Sequence, residues 1–156
     1  PNDGKSQWGY VITLLNGPLD WGWRNHTHVG ISSAPNVYMA LSHATKAVMW
    51  IRQLIKEMDL EELTPEATPM LGDNDQATQL SNEDVITAGN KFYLIDYHYT
   101  KEQIKSGHIS TRRVDTKDNF ADIFTKSLGP QDLNRLSNKL NGYDGLHPSI
   151  PPPYKD

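Results

Sequence analysis

The order of sequence patterns predicts a mixed α/β domain with helices packed on a central sheet. Three observations lead there. A β-rich segment with a hairpin-turn dipeptide opens the chain, one long amphipathic helix follows, and the second half interleaves short strand-like and helical stretches. The 156 residues suffice for one domain with a real core and are too few for two ordinary ones. Hydrophobic residues make up a lean 37%, yet four Trp, seven Tyr and 22% charged residues exclude a disordered chain.

Trp8 to Leu15 is β-branched and aromatic and ends at Asn16-Gly17, so it predicts a strand and a hairpin turn. Leu19 to Trp23 and Thr27 to Ser32 continue in strand-like residues, giving a meander of two or three antiparallel strands. Ser33 followed by Ala34-Pro35 is a helix start. Leu41, Ala44, Val48, Ile51, Leu54, Ile55 and Met58 then recur at three-to-four spacing, so one helix face is apolar and must pack on a sheet. Thr64-Pro65 and Thr68-Pro69 mark a connector, because each proline pushes the preceding residue out of the helical region. Met70 to Gly72 predicts a short strand ending at Asp73, Asn74 to Leu80 a helical turn or two, and Phe92 to Ile104 a second helix. His108 to Val114 predicts a strand; Asn119 to Ser127 and Gln131 to Leu140 predict the last helices, separated by Gly129-Pro130. The tail from Leu146 to Asp156 holds four prolines and little to bury, which predicts an extended or free segment.

Charge and composition narrow the function. The net charge of −4 is the wrong sign for binding nucleic acid through bulk electrostatics. Residues 60–90 carry seven acidic groups and no basic one, a pattern of either a solvated face or a cation site. The absence of cysteine excludes disulfides, thiolate metal sites and a cysteine nucleophile. No apolar run is long enough to span a membrane, and Pro1 to Lys5 has no signal-peptide character.

Several residues could carry chemistry. Asp73 and Asp75 follow a predicted strand and open a predicted helix, a common place for metal-binding carboxylates and equally for helix caps. They do not begin a calcium loop, since Thr78 and Asp84 stand where that loop needs glycine and glutamate. His26 and His28 share a strand face but lack an evident third ligand. Asn25-His26-Thr27 matches a glycosylation acceptor without a visible secretory signal. Pro151, Pro152, Pro153 and Tyr154 match a proline-rich ligand for a WW-type partner, or simply a linker. No P-loop, dinucleotide fingerprint, hydrolase elbow or zinc-protease helix is present.

Two stretches go beyond composition. Ser32-Ser33-Ala34-Pro35-Asn36-Val37-Tyr38-Met39-Ala40-Leu41-Ser42 and Asn119-Phe120-Ala121-Asp122-Ile123-Phe124-Thr125-Lys126-Ser127-Leu128 together resemble the ribonuclease H domain of copia-type retrotransposon polyproteins. Gly9-Tyr10-Val11, Trp21, Trp50-Ile51-Arg52, Asp73-Asn74 and Tyr97-His98 fall in that family's order, so the resemblance covers roughly residues 6 to 142. It implies a ribonuclease H-like fold with a mixed five-stranded sheet over residues 1–142, followed by a Pro-rich tail over 143–156. It also implies cleavage of RNA in RNA/DNA hybrids by a reverse transcriptase polyprotein. Four carboxylates would hold two divalent metals about 4 Å apart, which stabilise the attacking and leaving oxygens.

Carried over residue by residue, Asp73 and Asp122 match two of those catalytic, metal-binding carboxylates. The helix glutamate corresponds to Val37, and no acidic residue lies between Arg24 and Lys56 to replace it. The first aspartate, on the family's first and central strand, would precede Pro1. The family's histidine and aspartate before Tyr97-His98 appear as Phe92 and Leu94. With two carboxylates of four, and a loss of about 4 kcal/mol of transition-state stabilisation slowing a reaction roughly a thousandfold, the sequence predicts negligible nuclease activity and no bound cofactor. Mg²⁺ or Mn²⁺ and an RNA/DNA hybrid are expected only of an active enzyme. The alternative role is a degenerate scaffold or interaction module in a larger assembly. There the slot of the first strand would be filled by an upstream polyprotein segment, removed by an altered strand order, or filled by a protein partner through β-augmentation.

Overall fold

The computed structural model describes residues 7–25, 33–73 and 94–142. Within them the chain is a mixed α/β structure, as the alternation of patterns predicts. Strands β1 (Gln7–Leu14) and β2 (Gly17–Asn25) form an antiparallel hairpin with Tyr10 opposite Gly22 and Val11 opposite Trp21. The turn sits one residue earlier than its dipeptide signal. Leu15 and Asn16 both take left-handed backbone, with φ of 50° and 65°, while Gly17 already belongs to β2. Two left-handed central residues match the right-handed twist of the paired strands, which explains why the turn forms there despite the leucine. A bulge follows between Ile12 and Thr13.

Helix α1 (Ser33–Glu57) is the long amphipathic element. Leu41, Ala44, Val48, Ile51 and Ile55 are buried, at alternating three- and four-residue steps that keep them in one seam. Leu54 and Met58 were expected on this face but are 40% and 57% exposed. Leu54 lies about 100° around the helix from Ile55, and Met58 follows the last helical residue. The helix ends with Asp59 in the left-handed region: the Asp59 amide donates to Lys56 O (3.0 Å) and the Leu60 amide to Ile55 O (3.0 Å). The connector that follows is gripped by Arg52, whose guanidinium donates to Pro65 O (2.8 Å), Thr68 Oγ1 (3.0 Å) and Glu66 O (3.2 Å).

That grip delivers the chain into β3 (Thr68–Gly72), which pairs in parallel with β4 (Ile109–Arg113). The crossover includes α2 (Leu94–Lys105), closed by Gly107 at φ 73°. Asn119 to Ser127 forms less helix than expected, a single turn α3 (Asp122–Thr125). The Asn119 side chain competes for the local backbone, its Oδ1 accepting from the Ala121 amide at 3.2 Å, and so keeps the preceding residues out of the helix. Helix α4 (Pro130–Leu140) begins one residue before the predicted Gln131, with the proline of the expected separator in its first turn, where its missing N–H costs nothing.

Strand β1 is covered on both faces. Tyr10 and Ile12 pack against the cluster of Leu41, Ala44, Val48, Met70 and Ile109, whereas Val11 packs against Phe120, Leu136 and Leu140. Period-two alternation therefore splits β1 between two cores. The five-stranded sheet expected from the resemblance does not occur among the described residues: their four strands form two separate pairs, β1–β2 and β3–β4. The two pairs share a core instead, since Tyr10 and Ile12 from one and Met70 and Ile109 from the other meet at α1. Thr27 to Ser32, Asn74 to Leu80 and the tail lie outside the described residues. No helix among the described residues is long and apolar enough to cross a membrane.

Candidate functional site

Asp73 follows directly on β3, where the strand delivers its carboxylate to the sheet's carboxyl end. Asp122 opens α3 and is buried. Glycine at position 9 lets α3 come so close to the hairpin: a Cβ there would stand 2.8 Å from Thr125 Cγ2 and 3.5 Å from Phe124 Cβ. The same approach brings Asp122 towards Asp73, and Lys126 lies between them. Its ammonium donates to Asp122 Oδ2 at 2.8 Å and stands 3.7 Å from Asp73 Oδ2. The amide of Asn119 donates to the other Asp122 oxygen at 3.2 Å. Burial alone would push the Lys126 ammonium towards deprotonation, but its hydrogen bond to Asp122 and the charges of Asp122 and Asp73 outweigh that, holding its pKa above the ordinary lysine value.

The structure therefore places Asp73 and Asp122 in one ion-paired cluster with Lys126. Among the described residues, this cluster does not fit a paired-metal site. Its described donors are two carboxylates with a lysine ammonium in contact with both. Among the described residues no group of three His, Asp or Glu side chains could hold a metal ion. Asp75, His26, His28, Phe92 and the Pro151, Pro152, Pro153, Tyr154 segment lie outside the described residues; Asn25 ends β2, its side-chain oxygen accepting from Gln7 Nε2 at 2.9 Å. Sequence reasoning gave Lys126 no role. Its spacing of four from Asp122 was the available signal, since residues four apart on a helix meet.

Two other groups shape the electrostatics of the hairpin. Trp8 stacks on His43 of α1 with ring centroids 4.5 Å apart and planes 18° from parallel. Burial, helped by the nearby charges of Lys46 and Arg24 and opposed by Asp96, lowers the pKa of His43. Tyr10 lies across Gly22, whose added Cβ would be 2.8 Å from the ring, and its hydroxyl donates to Asp20 Oδ2 at 3.1 Å. Burial and that contact raise the tyrosine's pKa.

Comparison with known proteins gives the setting. The chain is 28% identical over 139 residues to the retrovirus-related Pol polyproteins from transposons RE1 and RE2 of Arabidopsis thaliana. It is 25% identical over 138 residues to that from transposon TNT 1-94 of Nicotiana tabacum. The chain is homologous to a segment of transposon Pol polyproteins. The similarity extends over 88% to 89% of this chain, which spans only 9% to 10% of the relatives' own length. The retrotransposon resemblance read from the two motifs thus extends over most of the chain. No protein-family profile matches it, and no solved structure does.

Proposed function

We propose that this chain is a ribonuclease H-like domain whose two-metal site is vestigial and which serves as a scaffold within a larger retroelement assembly. The observation that carries the reading is the Lys126 bridge. Where the resemblance calls for four carboxylates around two cations, Asp73 and Asp122 share one lysine ammonium. A site with +1 among two carboxylates lacks the charge and the ligands to position a nucleophilic water and stabilise a leaving oxygen.

The arrangement of strands supports the scaffold role. Both strand pairs pack on one helix, and each of β1 and β3 has one edge that pairs with no described strand. A strand inserted between them, antiparallel to β1 and parallel to β3, would give one mixed five-stranded sheet in the order the resemblance implies. Open edges of this kind recruit extended segments through main-chain hydrogen bonds. The occupant we favour is a polyprotein segment or a protein partner.

The second reading is an active nuclease cutting RNA in RNA/DNA hybrids, favoured by the retention of Asp73 and Asp122. Incubation of the chain with a labelled hybrid and Mg²⁺ or Mn²⁺ separates the two. The expected result is no cleavage above background, and none on Val37→Glu alone. Metal-dependent cleavage that disappears on Asp73→Asn would establish the second reading.

A further inference from the structure

We infer that Lys126 is the built-in counter-ion of the Asp73–Asp122 pair, a polar latch that ties the exit of β3 to the β1–β2 hairpin through α3. The inference rests on the reading of the site as vestigial, and it names what has taken over the electrostatic role of a cation there.

The geometry supports this in three ways. First, one ammonium serves two carboxylates from distant parts of the chain, at 2.8 Å and 3.7 Å. Second, the Asp122 side chain is only 8% exposed, and both of its oxygens already accept a bond, one from Lys126 and one from Asn119. Burying a carboxylate is costly without such partners, so Lys126 offsets the burial of Asp122. Third, no described backbone ladder joins β1 to β3, so this ion triplet is a direct polar contact between the halves that carry the two sheets. On the other side of the latch, α3 is seated against Gly9 with no room for a side chain.

A divalent cation arriving at the two carboxylates must either displace this ammonium or bind beside it against like-charge repulsion. Because Lys126 is four residues from Asp122 on the same short turn, its effective concentration at the carboxylate is high whatever the bulk ions. The latch therefore resists exchange for metal.

The test is a double-mutant cycle on the full chain with Asp73→Asn, Lys126→Met and the pair together. Thermal unfolding is followed in EDTA, and Mn²⁺ binding by electron paramagnetic resonance of the free ion. Asp73→Asn is expected to lower Tm by about 2 °C when Lys126 is present. It is expected to leave Tm unchanged or raise it in the Lys126→Met background, where it relieves repulsion between two uncompensated carboxylates. Lys126→Met is expected to bind Mn²⁺ at least about tenfold more tightly than the wild type, since a like charge has been removed from the site. If Lys126→Met does not fold, Lys126→Gln, which keeps a donor to Asp122, takes its place in the cycle. The same Tm change for Asp73→Asn in both backgrounds overturns the latch. Equal Mn²⁺ binding by wild type and variant, or none by either, overturns it as well. Metal-dependent hybrid cleavage by the wild type would instead defeat the vestigial reading, and the metal-free Tm cycle reports on the latch independently of that.

Discussion

His43, face to face with Trp8 and flanked by Lys46 and Arg24, couples pH to the attachment of the hairpin on α1. Its pKa is lowered on folding, so between that value and its ordinary 6.5 the unfolded chain binds more protons than the folded one. The stability it contributes is present above about pH 6.5 and is lost as pH falls through the lowered value. Denaturant midpoints measured from about pH 8 down to pH 5 should therefore fall in the wild type, and His43→Gln should remove part of that slope. An identical slope in both proteins would show that His43 does not carry the effect. Asp118 acts in the same direction at lower pH: its hydrogen bond from Lys139, reinforced by the charges of Lys139, Arg135 and Lys117 and opposed by partial burial, holds its carboxyl below the usual range. None of these partners was legible in the sequence. Trp8 and His43 are 35 positions apart, and only the docking of β1 on α1 brings their rings together.

At the level of elements, the contact of α3 with β1 is the most exacting. Gly9→Ala would set a methyl group 2.8 Å from Thr125 Cγ2 and 3.2 Å from Gly22 O, an overpacking expected to cost about 1–3 kcal/mol. Urea unfolding measures it, and Thr125→Ser, which deletes the clashing methyl, should recover part of the loss; no recovery would place the strain at the Gly22 carbonyl instead. Local patterning made most elements readable. The hairpin follows from a β-branched run before Asn16-Gly17, and α1 from a seam of apolar residues at three-to-four spacing. What local patterning could not fix was the extent of each element. The Leu15–Asn16 turn is set by strand twist, the length of α3 by the Asn119 side chain, and the exposure of Leu54 and Met58 by their rotation off the buried seam and by the end of α1 at Glu57. Each of these is a competition between neighbours, which propensity alone does not decide.

For the whole molecule, two strand pairs on one helix leave β1 and β3 each with an edge that pairs with no described strand. If a segment of the polyprotein completes the sheet, amide exchange should report it. In a longer stretch of the polyprotein, the β1 and β3 amides not bonded to β2 or β4 should exchange at least about tenfold more slowly than in this chain. Unchanged exchange would mean that the edges stay open and that the two sheets are joined through α1 and side chains. The candidate site is likewise a property of the whole. Asp73 and Asp122, 49 positions apart, were singled out by resemblance, and the spacing of Asp122 and Lys126 was visible in the sequence. That all three meet was not visible, because it depends on β3 ending where α3 is pressed against Gly9. By itself the sequence determined the α/β class, the order of the elements and the retroelement kinship, since these reside in local periodicity and contiguous motifs. Only the tertiary structure decided that a lysine ammonium stands between the two carboxylates. Coulomb interactions depend on distances through space, and those are set by packing rather than by position along the chain.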